Sequence, residues 1–288
     1  MTLVPTRAIL DAAYAAGRGV GAFNVIHLET AEALAAAAEA TGLPVILQLS
    51  ENCVRYHGGF EPIAGAMLAV AETSSADIAV HLDHAEDPAL ALRAIDAGFG
   101  SVMYDGAKLD FAENVATTRR VVAAAGAAAA AGGVLVEAEL GEIGGKDGAH
   151  APGVRTDPDE AARFVAETGV DALAVAVGSS HAMTERVAAI DLDLIAQLRA
   201  AVPVPLVLHG SSGVSDELIA RGIRAGLTKI NVSTHLNARF TGAVRRYLDE
   251  HPAAVDSRQY LAAGRDAVER EAARLLELFA MAGKEPNG

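Results

Sequence analysis

The segment IAVHLDHAED, residues 78–87, places chemically active side chains at the end of an apolar run. His81, Asp83 and His84 lie within four positions of one another. A carboxylate next to an imidazole can move a proton on a group that the imidazole, or a metal bound to it, holds in place. Because successive residues of a strand point to opposite faces, we expect His81 to share a face with Asp83 and to be available for a supporting role there.

Three histidines stand at the predicted ends of three different strands: His84, His181 and His209. Three protein ligands with an open fourth position are the pattern of a catalytic metal site, and imidazole suits zinc, with cobalt or iron selected less sharply. One histidine taken alone is usually an ordinary polar residue, but three at equivalent positions predict a metal centre. The histidines without such a placement are expected to be ordinary: His27, His57, His150, His235 and His251.

Two later segments have the composition of phosphate-binding loops. HGSSGVSDEL begins at a predicted strand end and leads into a helix, and NVSTHLN follows the next strand. Backbone N–H groups at a helix start, together with hydroxyls, bind phosphate without lysine. The candidate phosphate-binding residues are Gly210, Ser211, Ser212, Asn231, Ser233 and Thr234.

About eight short apolar segments alternate with helical patterns and supply the scaffold for these groups. The predicted strands are 19–25, 44–50, 77–83, 101–105, 134–140, 172–178, 205–210 and 229–233. Nearly continuous apolar strands covered by helices indicate a parallel sheet, and eight units in one undivided chain favour a closed α/β TIM barrel over a doubly wound sheet. We therefore predict a single domain over residues 1–288 with a C-terminal helical extension at about 257–283. Active-site groups of such a barrel lie at the C-terminal strand ends, which adds Asn24, Ser50, Asp105 and Glu139 to the candidates.

The composition limits the classes of partner that the protein is expected to bind. The 288 residues carry 37 acidic and 23 basic side chains, a formal net charge of −14, and show no basic patch, so neither nucleic acid nor an anionic membrane is expected as a partner. A single cysteine, Cys53, excludes an intrachain disulfide. The N-terminal residues do not resemble a signal peptide, and no transmembrane helix is predicted, so we expect a cytoplasmic protein.

The motifs together resemble one family nearly from end to end, the class II, metal-dependent ketose-bisphosphate aldolases. They are AFNV, HLDH, VEAELGEIGG, AVAVGSSH, LVLHGSSG, KINVST and DSRQYL. The resemblance implies that the three strand-end histidines hold a catalytic zinc ion and that Asp83 is the acid/base on the reacting hydroxyl. It also implies that Glu139 and Asp105 lie at the metal. The dihydroxyacetone phosphate end would be held by Gly210, Ser212, Asn231 and Thr234.

The resemblance carries three further expectations. A monovalent cation, Na⁺ or K⁺, would bind near Gly178 and the loop at 210. The protein would be a homodimer or homotetramer. Arg258, in DSRQYL, would reach across a dimer to the neighbouring active site and bind the second phosphate of a sugar bisphosphate, which a guanidinium can grip with two hydrogen bonds.

Some positions depart from the family pattern. Ala182 follows the second histidine where the family often has glycine, and Ser233 stands where aspartate is common. In the glycine-rich segment after Glu139, the glutamate that moves a proton at C3 in the family is either replaced by Asp147 or deleted. We therefore predict Asp147 as the second base, and these changes leave fructose bisphosphate, tagatose bisphosphate and a phosphorylated keto-sugar acid open as substrates.

Three other functions fit the sequence less well. A Schiff-base aldolase needs a lysine at the C-terminal end of a strand, whereas Lys229 is predicted to begin its strand at the opposite end of the barrel. A metal-dependent hydrolase would leave the phosphate loops unexplained. A non-catalytic sugar-phosphate-binding barrel would not need Asp83.

Overall fold

The computed structural model describes residues 3–128, 133–140, 154–181 and 183–283. Eight parallel strands pair in chain order, and β1 pairs with β8 to close the barrel. The strands are β1 Val20–Asn24, β2 Val45–Ser50, β3 Ile78–Ala85, β4 Ser101–Tyr104, β5 Leu135–Leu140, β6 Ala172–Val175, β7 Leu206–Leu208 and β8 Leu227–Val232. The prediction of an α/β TIM barrel is confirmed.

Helices surround the barrel on the outside. They are α1 Thr6–Ala15, α2 Leu28–Thr41, α3 Glu51–His57, α4 Glu61–Thr73, α5 Pro88–Asp96, α6 Phe111–Ala127, α7 Pro158–Thr168, α8 Leu192–Ala201, α9 Asp216–Ala225, α10 Thr234–Glu250 and α11 Ser257–Met281. The last of these is the predicted C-terminal extension, and it packs against α2 and α10. None of the helices in the described part of the chain is long and apolar enough to cross a membrane.

The helix boundaries follow from local chemistry. The side chain of Asp157 accepts hydrogen bonds from the first amides of α7, Pro158 occupies the first helical position, and Gly169 ends the helix in the left-handed conformation at φ 72°. Ser215 caps α9 in the same way through the amide of Leu218.

Two apolar clusters hold the barrel together. The larger one lies between the strands and the surrounding helices. The smaller one fills the N-terminal end of the barrel, where α1 covers it with Ile9 and Leu10. Above this apolar layer the interior becomes polar, and that polar part carries the site. Fully buried polar side chains in the interior are Gln48, His81, Ser101, Glu137, His209 and Lys229.

One predicted boundary is wrong in a way that matters. β8 begins at Leu227, two residues before Lys229, so Lys229 is inside the strand and fully buried within the barrel. The apolar Leu227 and the β-branched Thr228 continue the strand pattern backwards. β3 is also longer than predicted and extends to Ala85.

Candidate active site

An extra residue in β3 brings two neighbouring side chains to the same place. Leu82 pairs with Val102 and Ala85 with Tyr104, so β3 advances three residues where β4 advances two. His84 lies at this irregularity with φ 51°, a conformation that is uncommon for any residue other than glycine. The bulge breaks the alternation of the strand, and both Asp83 and His84 therefore reach the cavity at the C-terminal end of the barrel.

The three predicted histidines lie together. One ring nitrogen from each of His84, His181 and His209 lies within 4.8 Å of the other two. The ring centroid of His84 is 4.5 Å from that of His209 and 5.1 Å from that of His181. Tetrahedral zinc holds nitrogen ligands at about 2.0–2.1 Å, which separates them by about 3.3–3.4 Å. A small inward movement of the rings would complete such a site, so the donor set fits zinc.

Two carboxylates support these rings. Asp105 Oδ2 is 2.7 Å from Nδ1 of His84, and Glu139 Oε2 is 2.8 Å from Nδ1 of His209. Glu139 is also 3.9 Å from Nδ1 of His84. A carboxylate that accepts a ring N–H orients a metal-binding histidine, and Asp105 has this geometry. Asp105, Glu139 and His84 also form a second group that could hold a cation.

Asp83 is buried and fixed by two amides. Asn24 Nδ2 donates to Oδ2 of Asp83 and Asn231 Nδ2 donates to Oδ1, both at 3.1 Å. Burial acts to raise the pKa of Asp83, but the nearby positive charges, His84 first and then Lys229, outweigh burial and hold the pKa below its usual range. Both oxygens therefore act as acceptors, which is the state of a base.

A second buried glutamate was not predicted. Glu137 Oε1 lies 3.1 Å from Nε2 of His209, and Lys229 Nζ lies 2.8 Å from Oε2. Burial acts to lower the pKa of His209, but hydrogen bonds to Glu137 and Glu139 raise it to about 9. The signal was present in VEAEL, because residues two apart on a strand share a face.

The loops after β7 and β8 converge as predicted. A 3₁₀ turn at Ser211–Gly213 follows Gly210, whose φ is 65° and where a Cβ would lie 2.6 Å from the backbone of Ser180. The Ser211 hydroxyl donates to the carbonyl of Asn231, which ties the two loops together. The N-terminus of α10 lies at the cavity with Ser233 and Thr234. This is the geometry of an anion site.

These groups line one cavity of about 400 Å³. Its lining residues are Asn24, Ser50, Glu51, Asn52, Arg55, Asp83, His84, Glu86, Lys108, His181, Gly210, Ser211, Ser212, Asn231, Ser233 and Thr234. Two of them are cations that the sequence did not point to: Arg55 on α3, paired with Glu51, and Lys108 after β4, paired with Glu86.

Other predicted residues lie elsewhere. Arg258 is highly exposed at the start of α11, paired with Asp256, and does not line this cavity. Gly178 has φ 113°, and a Cβ there would lie 2.9 Å from a guanidinium nitrogen of Arg155, so a positive charge already stands beside the expected monovalent cation position. Asp147 and Ala182 lie outside the described residues.

Comparisons with known proteins show that the chain is similar to aldolases. The YdjI aldolase from Escherichia coli K12 is 30% identical over 98% of each chain, with a TM-score of 0.84. A candidate fructose-1,6-bisphosphate aldolase from Coccidioides immitis is 28% identical over 97% of each chain, with a TM-score of 0.84. The fructose-bisphosphate aldolase of Campylobacter jejuni, 21% identical over 97% of this chain and 95% of that one with a TM-score of 0.78, shows the shared fold alone.

A family model described as class II fructose-bisphosphate aldolase matches residues 4–284. The predicted resemblance is thereby confirmed over nearly the whole chain. With three clustered histidines beside a fixed carboxylate at the C-terminal end of a closed barrel, the chain belongs to the class II fructose-bisphosphate aldolase family.

Proposed function

We propose that this protein is a zinc-dependent aldolase that reversibly cleaves a ketose 1,6-bisphosphate, with fructose 1,6-bisphosphate as the expected substrate. The products would be dihydroxyacetone phosphate and an aldehyde phosphate. The observation that carries the proposal is that Asp83, His84 and His181 line the same cavity as the β7 and β8 anion loops.

His84, His181 and His209 would hold the zinc ion. Bound there, it would supply a Lewis acid that polarises the ketose carbonyl and stabilises the charge that develops as the carbon–carbon bond breaks. Asp83 would take the proton from the C4 hydroxyl during cleavage and return it to the aldehyde oxygen during synthesis. The amides of Asn24 and Asn231 fix the carboxylate for that transfer.

The rest of the chain would bind and orient the substrate. The loops containing Gly210, Ser212 and Thr234 would hold the phosphate of the dihydroxyacetone end. Asp147 would exchange the C3 proton of dihydroxyacetone phosphate. The far phosphate would be bound by Arg258 of a neighbouring subunit in a homodimer or homotetramer. A cytoplasmic role in carbohydrate metabolism such as glycolysis, and a bound Na⁺ or K⁺ near Gly178, belong to the same proposal.

Arg55 and Lys108 support a second candidate substrate. They place positive charge at the cavity, and guanidinium and ammonium groups recognise a carboxylate as well as a phosphate. A phosphorylated keto-sugar acid would present such a carboxylate. Tagatose bisphosphate differs from fructose bisphosphate at one stereocentre and is the third candidate.

The test is a parallel assay of purified protein whose zinc content has been measured. Fructose 1,6-bisphosphate, tagatose 1,6-bisphosphate and phosphorylated keto-sugar acids are each offered, and release of dihydroxyacetone phosphate is followed with a coupled dehydrogenase. The proposal expects zinc near one ion per subunit and cleavage of at least one ketose bisphosphate. Zinc-loaded protein that binds these sugars but cleaves none of them would instead favour a binding protein.

A further inference from the structure

The interior of the barrel contains a buried ion pair directly beneath the site. Lys229 Nζ lies 2.8 Å from Oε2 of Glu137, and both side chains have zero exposed area. Removing two charges from water costs free energy that their attraction often fails to recover, and apolar replacements of similar volume are often as stable. The neighbouring layer of this barrel is apolar.

The two residues of the ion pair lead into two separate chains of hydrogen-bonded side chains, here called arms, one from Lys229 and one from Glu137. On one side, Lys229 Nζ lies 3.4 Å from Nε2 of His81, whose Nδ1 lies 2.8 Å from the hydroxyl of Ser101, which in turn lies 2.8 Å from the hydroxyl of Thr6. On the other side, Glu137 Oε1 lies 3.1 Å from Nε2 of His209. The first arm ends at α1 under the barrel, and the second ends at a predicted metal ligand.

The second arm determines how the His209 ring is used. A carboxylate only accepts hydrogen bonds, and each ring nitrogen of His209 faces one, Glu137 at Nε2 and Glu139 at Nδ1, so a bound cation must replace the hydrogen on one of the two nitrogens. A divalent cation on the Nε2 side would also come close to the ammonium group of Lys229. On the Nδ1 side stands Glu139, a carboxylate 2.8 Å away. The charges therefore favour the cation at Nδ1, and the hydrogen that stays on the ring is the one on Nε2, which Glu137 accepts.

We propose that Glu137, oriented by Lys229, is a positioning residue that fixes the Nε2–H tautomer of His209 and so makes Nδ1 its metal-binding atom. The inference rests on the proposed function, because it concerns the metal that the proposed reaction uses. It assigns a task to two buried charges that do not line the substrate cavity.

The decisive variant removes both charges together, since removing one alone would leave the other buried without a partner. Glu137→Leu/Lys229→Met has the same net charge as the parent, keeps side chains of roughly similar size and leaves no acceptor at this position for Nε2 of His209. Zinc affinity is measured by competition with a chromophoric chelator, and the ring of His209 is observed by ¹⁵N NMR of the zinc-loaded protein. Supporting carboxylates are worth about 10–100-fold in metal affinity, so a loss of that size is expected.

Ser101→Ala is the matched control. It breaks a buried hydrogen bond on the arm that leads away from His209. We expect it to lower stability to thermal unfolding without changing zinc affinity. A purely structural network would instead affect both variants through stability alone, and circular dichroism with size-exclusion chromatography identifies any variant that fails to fold.

The NMR experiment on the parent protein is independent of every variant. Zinc-loaded parent protein should show His209 with its hydrogen on Nε2 and zinc on Nδ1. The opposite assignment, or a doubly substituted protein that folds and binds zinc as tightly as the parent, overturns the inference. If the parent binds zinc but cleaves no ketose phosphate, the proposed function fails while the zinc affinities still decide this inference. A parent protein that binds no zinc would refute both the proposed function and this inference.

Discussion

The two side-chain oxygens of Asp83 are held by Asn24 and Asn231, each through an amide nitrogen at 3.1 Å. β1 supplies one amide, β8 the other, and β3 the carboxylate, so three strands define one proton-transfer position. A group that is fixed this firmly can act on only a small region of a bound substrate. The prediction with the sharpest structural basis therefore concerns Asp83.

Asp83→Ala should remove carbon–carbon cleavage while zinc binding and dihydroxyacetone phosphate binding persist. Losing a positioned acid or base costs about 10²–10⁴ in rate. The measurements are zinc content, calorimetric titration with dihydroxyacetone phosphate, and kcat for the bisphosphate. Asn231→Ala is expected to lower kcat less, because Asn24 still holds one oxygen. Cleavage at the parent rate by Asp83→Ala would refute the role.

Activity should depend on metal and not on lysine. A chelator should abolish cleavage, added zinc should restore it, and His209→Ala should lose the metal itself. Lys229 is fully buried and paired with Glu137, so borohydride added with substrate should leave no covalent adduct. A stable adduct, located by mass spectrometry, would assign the Schiff-base mechanism instead.

Asp147 is expected to exchange the C3 proton of dihydroxyacetone phosphate. Asp147→Ala should slow the exchange of that proton with solvent deuterium more than it weakens binding of the same compound. His150→Ala is the matched control in the same segment. If exchange persists in the first variant and falls in the second, the base is His150.

The residue that binds the second phosphate of the substrate can be identified by substituting each of three cationic residues in turn. If Arg258 acts across a dimer, Arg258→Ala should raise KM for the bisphosphate with little change in dihydroxyacetone phosphate binding, whereas Arg55→Ala and Lys108→Ala should have smaller effects. Mixed dimers of Arg258→Ala and Asp83→Ala subunits should then regain activity, because one site carries both lesions and the other neither. A larger effect of Arg55→Ala, with no recovery in mixed dimers, would place the anion site within one subunit.

Acid should destabilise the barrel through His81. Burial first, and the charge of Lys229 next, lower the pKa of His81 to about 3. The histidine contributes full stability above the unfolded value of 6.5, and as the pH falls only the unfolded chain takes up the proton. The free energy of unfolding should therefore drop by about 2 kcal/mol from this residue between pH 7 and pH 5.

His81→Gln isolates that contribution, since every other titrating group stays in place. Denaturant unfolding of both proteins at pH 7, 6 and 5 should give a smaller decrease for the variant. Equal pH dependence in the two proteins would show that His81 is not kept neutral by the fold. Glu137 does not complicate this range, because an unfolded glutamate is ionised above pH 5.

The sequence predicted most of this architecture because its signals are local or periodic. Alternating apolar segments and helix caps predicted the eight strands. Because active-site residues of such a barrel lie at the C-terminal strand ends, His84, His181 and His209 could then be predicted to lie close together, as they do. Arg55 was missed because it projects from the helix after β2 and not from a strand end. Lys229 was misplaced because a boundary error of two residues moves a side chain from the bottom of a barrel into its interior.

Contacts between residues far apart in the chain could not be predicted, for a different reason. The contact between Glu137 and His209 joins residues 72 positions apart, and no local preference encodes it. The assignment of Asp105 to the Nδ1 atom of His84 likewise needs the relative orientation of two strands.

The bulge in β3 also has a consequence for protein engineering. Copying the residues of a motif into another protein transfers its side chains but not its backbone conformation. HLDH placed in a regular strand of another barrel would send the aspartate inward and the second histidine outward toward the helices. A designer who wants both groups must transfer the extra residue against β4 and the left-handed conformation at His84 as well. The unit that can be moved between scaffolds is a pair of strands.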